Sequence, residues 1–190
     1  AYMGGADLDG AVIKLDALRG RCEGLFLLSG NHKGIAHKLM AINKLDLLRE
    51  YLSALSSVAP GGFFIELQRV DAPHELRIEQ ELIAYAYDAQ LPLVATNDIY
   101  YATPSSHDAH DALRCIAQGE YLEDASREVL APCHFFRSAS EMKTLFADLP
   151  EACENTLAIA QSCGFFPGPR DPILPRFVDG GVDAENEELE

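Results

Sequence analysis

The stretch Leu91–Tyr101, LPLVATNDIYY, limits the possible folds more than any other part of the chain. A short apolar and β-branched run (Leu93, Val94, Ala95, Thr96) follows Pro92 and ends abruptly in Asn97-Asp98. It reads as a fully buried strand of a parallel sheet. The C-terminal end of such a strand delivers polar groups to a rim, where α/β barrels and open α/β sheets place their chemistry. Asp98 is therefore the first candidate site residue. Aspartates also cap turns, and spacing alone favours that plainer role.

At 190 residues the chain is long enough for one sizeable core with a short appendage. No apolar run approaches the roughly 18–20 residues of a membrane span, and the start is small and acidic, unlike a secretory signal. Cys22, Cys115, Cys133, Cys153 and Cys163 are odd in number and lack the close pairs of a zinc motif. They fit reduced thiols in a cytoplasmic protein. A net charge of −15 repels phosphate backbones, which argues against nucleic-acid binding by this segment itself. Both ends read as cut: no Met opens the chain, and residues 185–190 resemble the start of a helix.

Taken in order, Val12 to Leu18 offers one amphipathic segment, and Leu25–Ser29 is the first strong strand. A short helix is expected over Ile35 to Met40. Asn43 is a plausible N-cap for a longer one carrying Leu45, Leu48, Leu52 and Leu55 at helical spacing, a stripe that belongs in a core. Pro60-Gly61-Gly62 breaks that helix before the strand Phe63–Leu67. Asp71 as N-cap and Pro73 in the first turn start a third helix, with Leu76, Leu82, Ile83 and Ala86 on its buried face. Strand, helix, strand, helix, strand at this spacing predicts parallel βαβ units.

Thr103-Pro104 starts a helix running to about Ile116, with His107 and His110 three residues apart on one face. Such a pair can hold a metal, but a histidine early in a helix more often packs or caps. Ser138-Ala-Ser-Glu141 is a capping box opening a helix through Phe146; Asp148-Leu-Pro-Glu151 repeats the device for a helix stopping at Gly164. Four prolines between Phe165 and Phe177 predict an extended connector, and the acidic tail from Val178 is expected to be mobile.

Four segments then stand together: FFIELQR (Phe63–Arg69), LPLVATNDIYY, SSHDAHDALRCI (Ser105–Ile116) and MKTLFADLPEACENTLAIAQSC (Met142–Cys163). In this order and spacing they resemble the polymerase-and-histidinol-phosphatase (PHP) domain at the N-terminus of bacterial DNA polymerase III alpha subunits. PILPRF (Pro172–Phe177) resembles the connector from that domain into the polymerase palm. The resemblance implies an α/β fold, a partial barrel of parallel strands alternating with helices. Residues 1–165 would be the C-terminal portion of a PHP domain, and residues 166–190 a Pro-rich connector and acidic tail. The family's His-x-His metal motif would lie upstream of Ala1 and the polymerase aspartates downstream of Glu190, leaving no catalytic residue in this segment.

The resemblance also bears on metal. Metal-binding members end the strand matching LVATND with Asp-x-His, whereas here Asp98 is followed by Tyr100 in the histidine's place. They carry a Cys after the Leu-Ser-Gly turn, where this chain has Asn31. A phenol with a pKa of about 10 is a poor ligand at neutral pH, and imidazole is a good one. Asp98, Tyr100 and Asn31 are thus expected to be vestigial metal positions, with no cofactor in this segment and magnesium serving the full polymerase. The implied function is replicative: a DNA-directed DNA polymerase as a whole, with this part docking a proofreading exonuclease subunit. Other replicase subunits would be partners, DNA would be held by downstream domains, and the location would be cytoplasmic with no membrane contact. Two alternatives stand beside it. One is a metal-dependent phosphoesterase with substituted ligands drawn from Asp98, His107, His110 and Glu66. The other is the alpha-like error-prone polymerase family, which FFIELQR and the missing Asp-x-His fit less well.

Overall fold

The computed structural model describes residues 13–72 and 75–169, together with two short strands, β1 (Ala6–Asp7) and β2 (Gly10–Ala11), paired antiparallel. The expected amphipathic segment before Leu18 contracts to a single 3-10 turn, Leu15–Leu18, followed by left-handed Gly20. So short a piece holds 3-10 geometry more readily than a multi-turn α-helix. Next come β3 (Leu27–Leu28), α1 (Ile35–Ala41), α2 (Leu45–Val58), β4 (Phe63–Leu67), α3 (Glu75–Asp88) and β5 (Leu93–Ala95). A 3-10 turn at Pro104–Ser106 then leads into α4 (His107–Gln118), followed by α5 (Ala139–Leu145) and α6 (Pro150–Ser162).

The three central strands are parallel and lie in the order β3-β4-β5, with Leu27 opposite Phe63 and Ile65 opposite Leu93. The fold is therefore α/β with a small parallel sheet, an arrangement compatible with part of a barrel. Every residue of β4 and β5 is buried, as a strand covered on both faces requires. The first strand is shorter than Leu25–Ser29, because the Leu25 N–H is drawn back to the Cys22 carbonyl at 3.1 Å.

Alternation along β4 divides its side chains between two faces. Phe63, Ile65 and Leu67 join Leu93 and Ala95 in the main core, packed against Leu48, Leu52 and Leu55 of α2 and Ile78, Leu82 and Ala86 of α3. Phe64 and Glu66 lie on the other face, where Phe26 meets Phe64 edge-to-face with ring centres 5.7 Å apart. α6 covers the outer edge of β5, where the Asn155 amide donates to the Leu93 carbonyl at 2.7 Å.

Four local expectations are corrected. Asn43 does not cap α2: it sits in the left-handed region at φ 55°, Lys44 takes the cap position, and Asn43 Oδ1 lies 3.3 Å from Arg77 Nη2. Asp71 is also left-handed (φ 56°) and stands four residues before α3, its N–H reaching Glu75 Oε2 at 3.2 Å. Leu76 is 70% exposed; Ile78 takes its place in the core, because the inward face runs through Ile78, Leu82 and Ala86, and Leu76, two residues before Ile78, falls on the opposite side. Asp148 does not cap α6. It turns to Arg69, and Leu149 occupies the cap position without a side-chain bond. The capping box at Ser138 and Glu141 is present with both reciprocal bonds. Pro73, the connector beyond Pro169 and the acidic tail lie outside the described residues.

Candidate functional site

The C-terminal ends of the three parallel strands meet in one polar network. From β3 comes Ser29, whose hydroxyl accepts the Glu66 backbone N–H at 2.9 Å. Glu66 is buried within β4 and accepts from the Thr96 hydroxyl at 2.5 Å. Gln68, just past β4, donates from Nε2 to Thr96 Oγ1 at 3.0 Å, which directs its oxygen at His32 Nδ1, 3.3 Å away. An amide oxygen only accepts, so His32 donates through Nδ1.

Asp98 lies next in this chain of contacts. Its Oδ2 is screened from solvent and accepts no hydrogen bond among the described residues; His134 Nδ1 lies 3.5 Å away and His32 Nδ1 3.8 Å away. His134, 3% exposed, donates from Nδ1 to the Asp98 carbonyl at 2.9 Å. Both Nδ1 protons are thus given to other acceptors, the Gln68 side-chain oxygen and the Asp98 backbone carbonyl, and the two rings flank the carboxylate without bonding it.

His134 reaches the rim because residues 133–137 run beside the end of β5. The His134 carbonyl accepts from the Tyr100 N–H at 3.0 Å, and the Phe136 N–H returns to the Tyr101 carbonyl at 3.0 Å. Asn97 fastens the same segment, donating to the Phe135 carbonyl at 2.8 Å and accepting from Arg137 at 2.7 Å.

Of the residues singled out in the sequence, Asp98 sits at the centre of the rim and Tyr100 at its mouth. The Tyr100 ring packs edge-on against His134, 5.4 Å between centres, with Lys33 Nζ 5.8 Å from its own centre. Asn31 points elsewhere: its Oδ1 accepts the Lys33 N–H at 3.0 Å and shapes the turn into α1. Glu66 belongs to the network. His107 and His110 both pack on Tyr101, and His110 also meets the Tyr100 ring, 5.7 Å between centres. His107 is held between the Leu130 carbonyl at 2.9 Å and Asp108 at 3.0 Å, and these acceptors raise its pKa. Among the described residues no three His, Cys, Asp or Glu side chains converge as a metal ion requires. Nδ1 of both rim histidines is occupied as a donor, which leaves Nε2 as the ring nitrogen that any ligand role would use.

Sequence reasoning missed His32, Gln68 and His134. The first two were open to the argument that selected Asp98, since each follows the end of a parallel strand. His134 carries no such signal. It enters from an irregular segment thirty-six residues beyond Asp98, brought there by backbone bonds that no periodicity announces.

Fold and rim together define an α/β segment of the parallel, strand-helix-alternating class with its polar groups gathered at the strand ends. No protein-family model matches the chain. Over all 190 residues it is 44% identical to part of the DNA polymerase III subunit alpha of Caulobacter vibrioides, covering 17% of that protein. Identity is 37% to the Rickettsia bellii subunit over 87% of the chain, and 34% to the Escherichia coli K12 subunit over 98% of it, covering 14% and 16% of those proteins. The chain thus spans about a sixth of the length of the curated relatives it matches, and the similarities support a segment of a DNA polymerase III alpha subunit.

Proposed function

We propose that the chain is part of the PHP-type domain of a replicative DNA polymerase III alpha subunit, and that this part is a metal-free scaffold docking the proofreading exonuclease subunit. End-to-end similarity to alpha subunits supports the replicative assignment. The observation that carries the scaffold reading is Tyr100, two residues past Asp98 where a ligand imidazole would be needed, its ring packed edge-on against His134. On this reading DNA-directed DNA synthesis, its magnesium and the contacts to DNA and to other replicase subunits belong to the rest of a cytoplasmic polypeptide. Among the described residues no helix is long and apolar enough to cross a membrane.

The test uses the full polypeptide and its Tyr100→His variant. Each is submitted to zinc, manganese and iron analysis and to hydrolysis of a generic phosphate ester, alongside a magnesium-dependent primer-extension assay. The expected result is primer extension, with neither stoichiometric metal nor metal-dependent ester turnover at this domain. Restoring one imidazole should not create a phosphatase, because a hydrolytic centre needs every ligand of two or more cations in place. Stoichiometric metal with metal-dependent turnover in the unaltered protein would replace the scaffold reading. One observation favours that second reading, a phosphoesterase with substituted ligands: the Asp98 oxygen that lacks a hydrogen-bond partner.

A further inference from the structure

α4 is built the wrong way round for a helix that packs by its apolar side. Along its inward side His107 bonds the Leu130 carbonyl, Asp111 pairs with Arg127, and Arg114 donates to the Glu128 carbonyl. These bonds fold residues 127–130 against the helix. Only Cys115 is buried, while Leu113 and Ile116, one turn apart, are 62% and 78% exposed. Tyr121 and Leu122, just past the left-handed C-cap Gly119, are exposed too and continue the apolar run. A helix ordinarily turns such a stripe inward. Exposed apolar patches rimmed by polar groups mark interaction sites.

The rim has one sign. Between residues 104 and 131 the only cations are Arg114 and Arg127, both engaged in ion pairs, with Glu128 and Asp111. Asp108, Glu120 and Glu123 are exposed, and the Glu120 and Glu123 carboxylates have no partner among the described residues. A second copy would bring the same carboxylates to a two-fold contact, against repulsion.

We infer that the outer face of α4 is a docking surface for a basic amphipathic helix of a partner protein, its apolar stripe on Leu113 and Ile116 and its lysines or arginines on Glu120 and Glu123. This deepens the docking reading above and rests on it. Apolar anchors supply affinity at such a contact, and the charges supply orientation and discrimination.

The experiment uses the full polypeptide and two synthetic 18-residue helices with the same leucine stripe, one flanked by lysine and the other by glutamate. The lysine peptide should bind and the glutamate peptide should not. Leu113→Glu with Ile116→Glu should weaken the lysine peptide at least tenfold, and the milder pair Leu113→Ser with Ile116→Ser should weaken it by less. Glu120→Lys with Glu123→Lys should reverse the preference between the peptides. Equal binding of both peptides, or lysine-peptide binding untouched by all these variants, overturns the assignment. So does a dimer that the Leu113/Ile116 variants dissolve, or protection of the Leu113 and Ile116 side chains from hydroxyl-radical footprinting in the unliganded monomer. The exonuclease subunit is tested in parallel. If it binds the unaltered protein and the Leu113/Ile116 variants alike, the surface is wrong and the docking reading stands. If it binds neither while the peptide results hold, the docking reading fails and the surface stands.

Discussion

His37, on α1, has its pKa lowered to about 4, first by burial and then by the nearby His32, and its Nδ1 is buried without a hydrogen-bond partner. The unfolded chain binds this proton near pH 6.5, the folded chain only near pH 4. Stability from this residue is therefore complete above about pH 6.5 and is lost as pH falls toward 4. The expected loss is roughly 1–2 kcal/mol, smaller than the whole shift implies because the ring is partly solvated. Urea denaturation across this range should show the slope, and His37→Gln should flatten it; an unchanged slope would assign the dependence to other groups. At this scale the sequence was legible only in part. Asp98 was found because a strand end is a rule about position, whereas His134 reaches the same carboxylate through tertiary backbone bonds.

Among elements, the joint between α3 and the α5–α6 corner hangs on one guanidinium. Arg69 reaches Glu79 on α3 at 2.6 Å, Asp148 at 2.7 Å and the Leu145 carbonyl, while lying 4.5 Å over the Phe146 ring. These two carboxylates hold its pKa far above the ordinary arginine value, and Arg69 holds Asp148 below the usual carboxylate range. Arg69→Met should cost roughly 3–5 kcal/mol in chemical denaturation, because buried Glu79 is left uncompensated. Asp148→Asn should cost no more than about 1 kcal/mol, because Asp148 is well exposed. Comparable losses would show that the corner, not the buried carboxylate, bears the load. Leu48 and Ile83 make a second contrast. Leu48 is buried in the core and its change to Ala should cost roughly 2–5 kcal/mol, while Ile83 is only partly buried and should cost less. Equal costs would mean that α3 is packed more tightly than α2. The leucine stripe of α2 was readable because periodicity encodes burial directly. Asp148 was misread because a capping signature is local, and a buried-side arginine seventy-nine residues away outcompetes it.

The whole molecule joins an open sheet edge to a high charge. The described residues give β3 a strand neighbour on one side only, and Leu25 and Leu28 are exposed. Such an edge invites pairing, and a net charge of −15 opposes it. The 190-residue chain should therefore self-associate more as salt is raised, and Leu28→Lys should suppress the effect; sedimentation showing association that weakens with salt would instead point to ion-pair contacts. The parallel order of the three central strands was legible from βαβ spacing, but the β1–β2 pair was not, nor was the extent of the sheet, because β3 carries only a two-residue ladder. The strand order has a further consequence. Because β3, β4 and β5 stand side by side in the order of synthesis, a ribosome advancing at roughly 5–20 residues per second releases each strand after the neighbour it pairs with. Birth order and pairing order coincide, so each nascent strand meets a template already made, and α6 closes the far edge last.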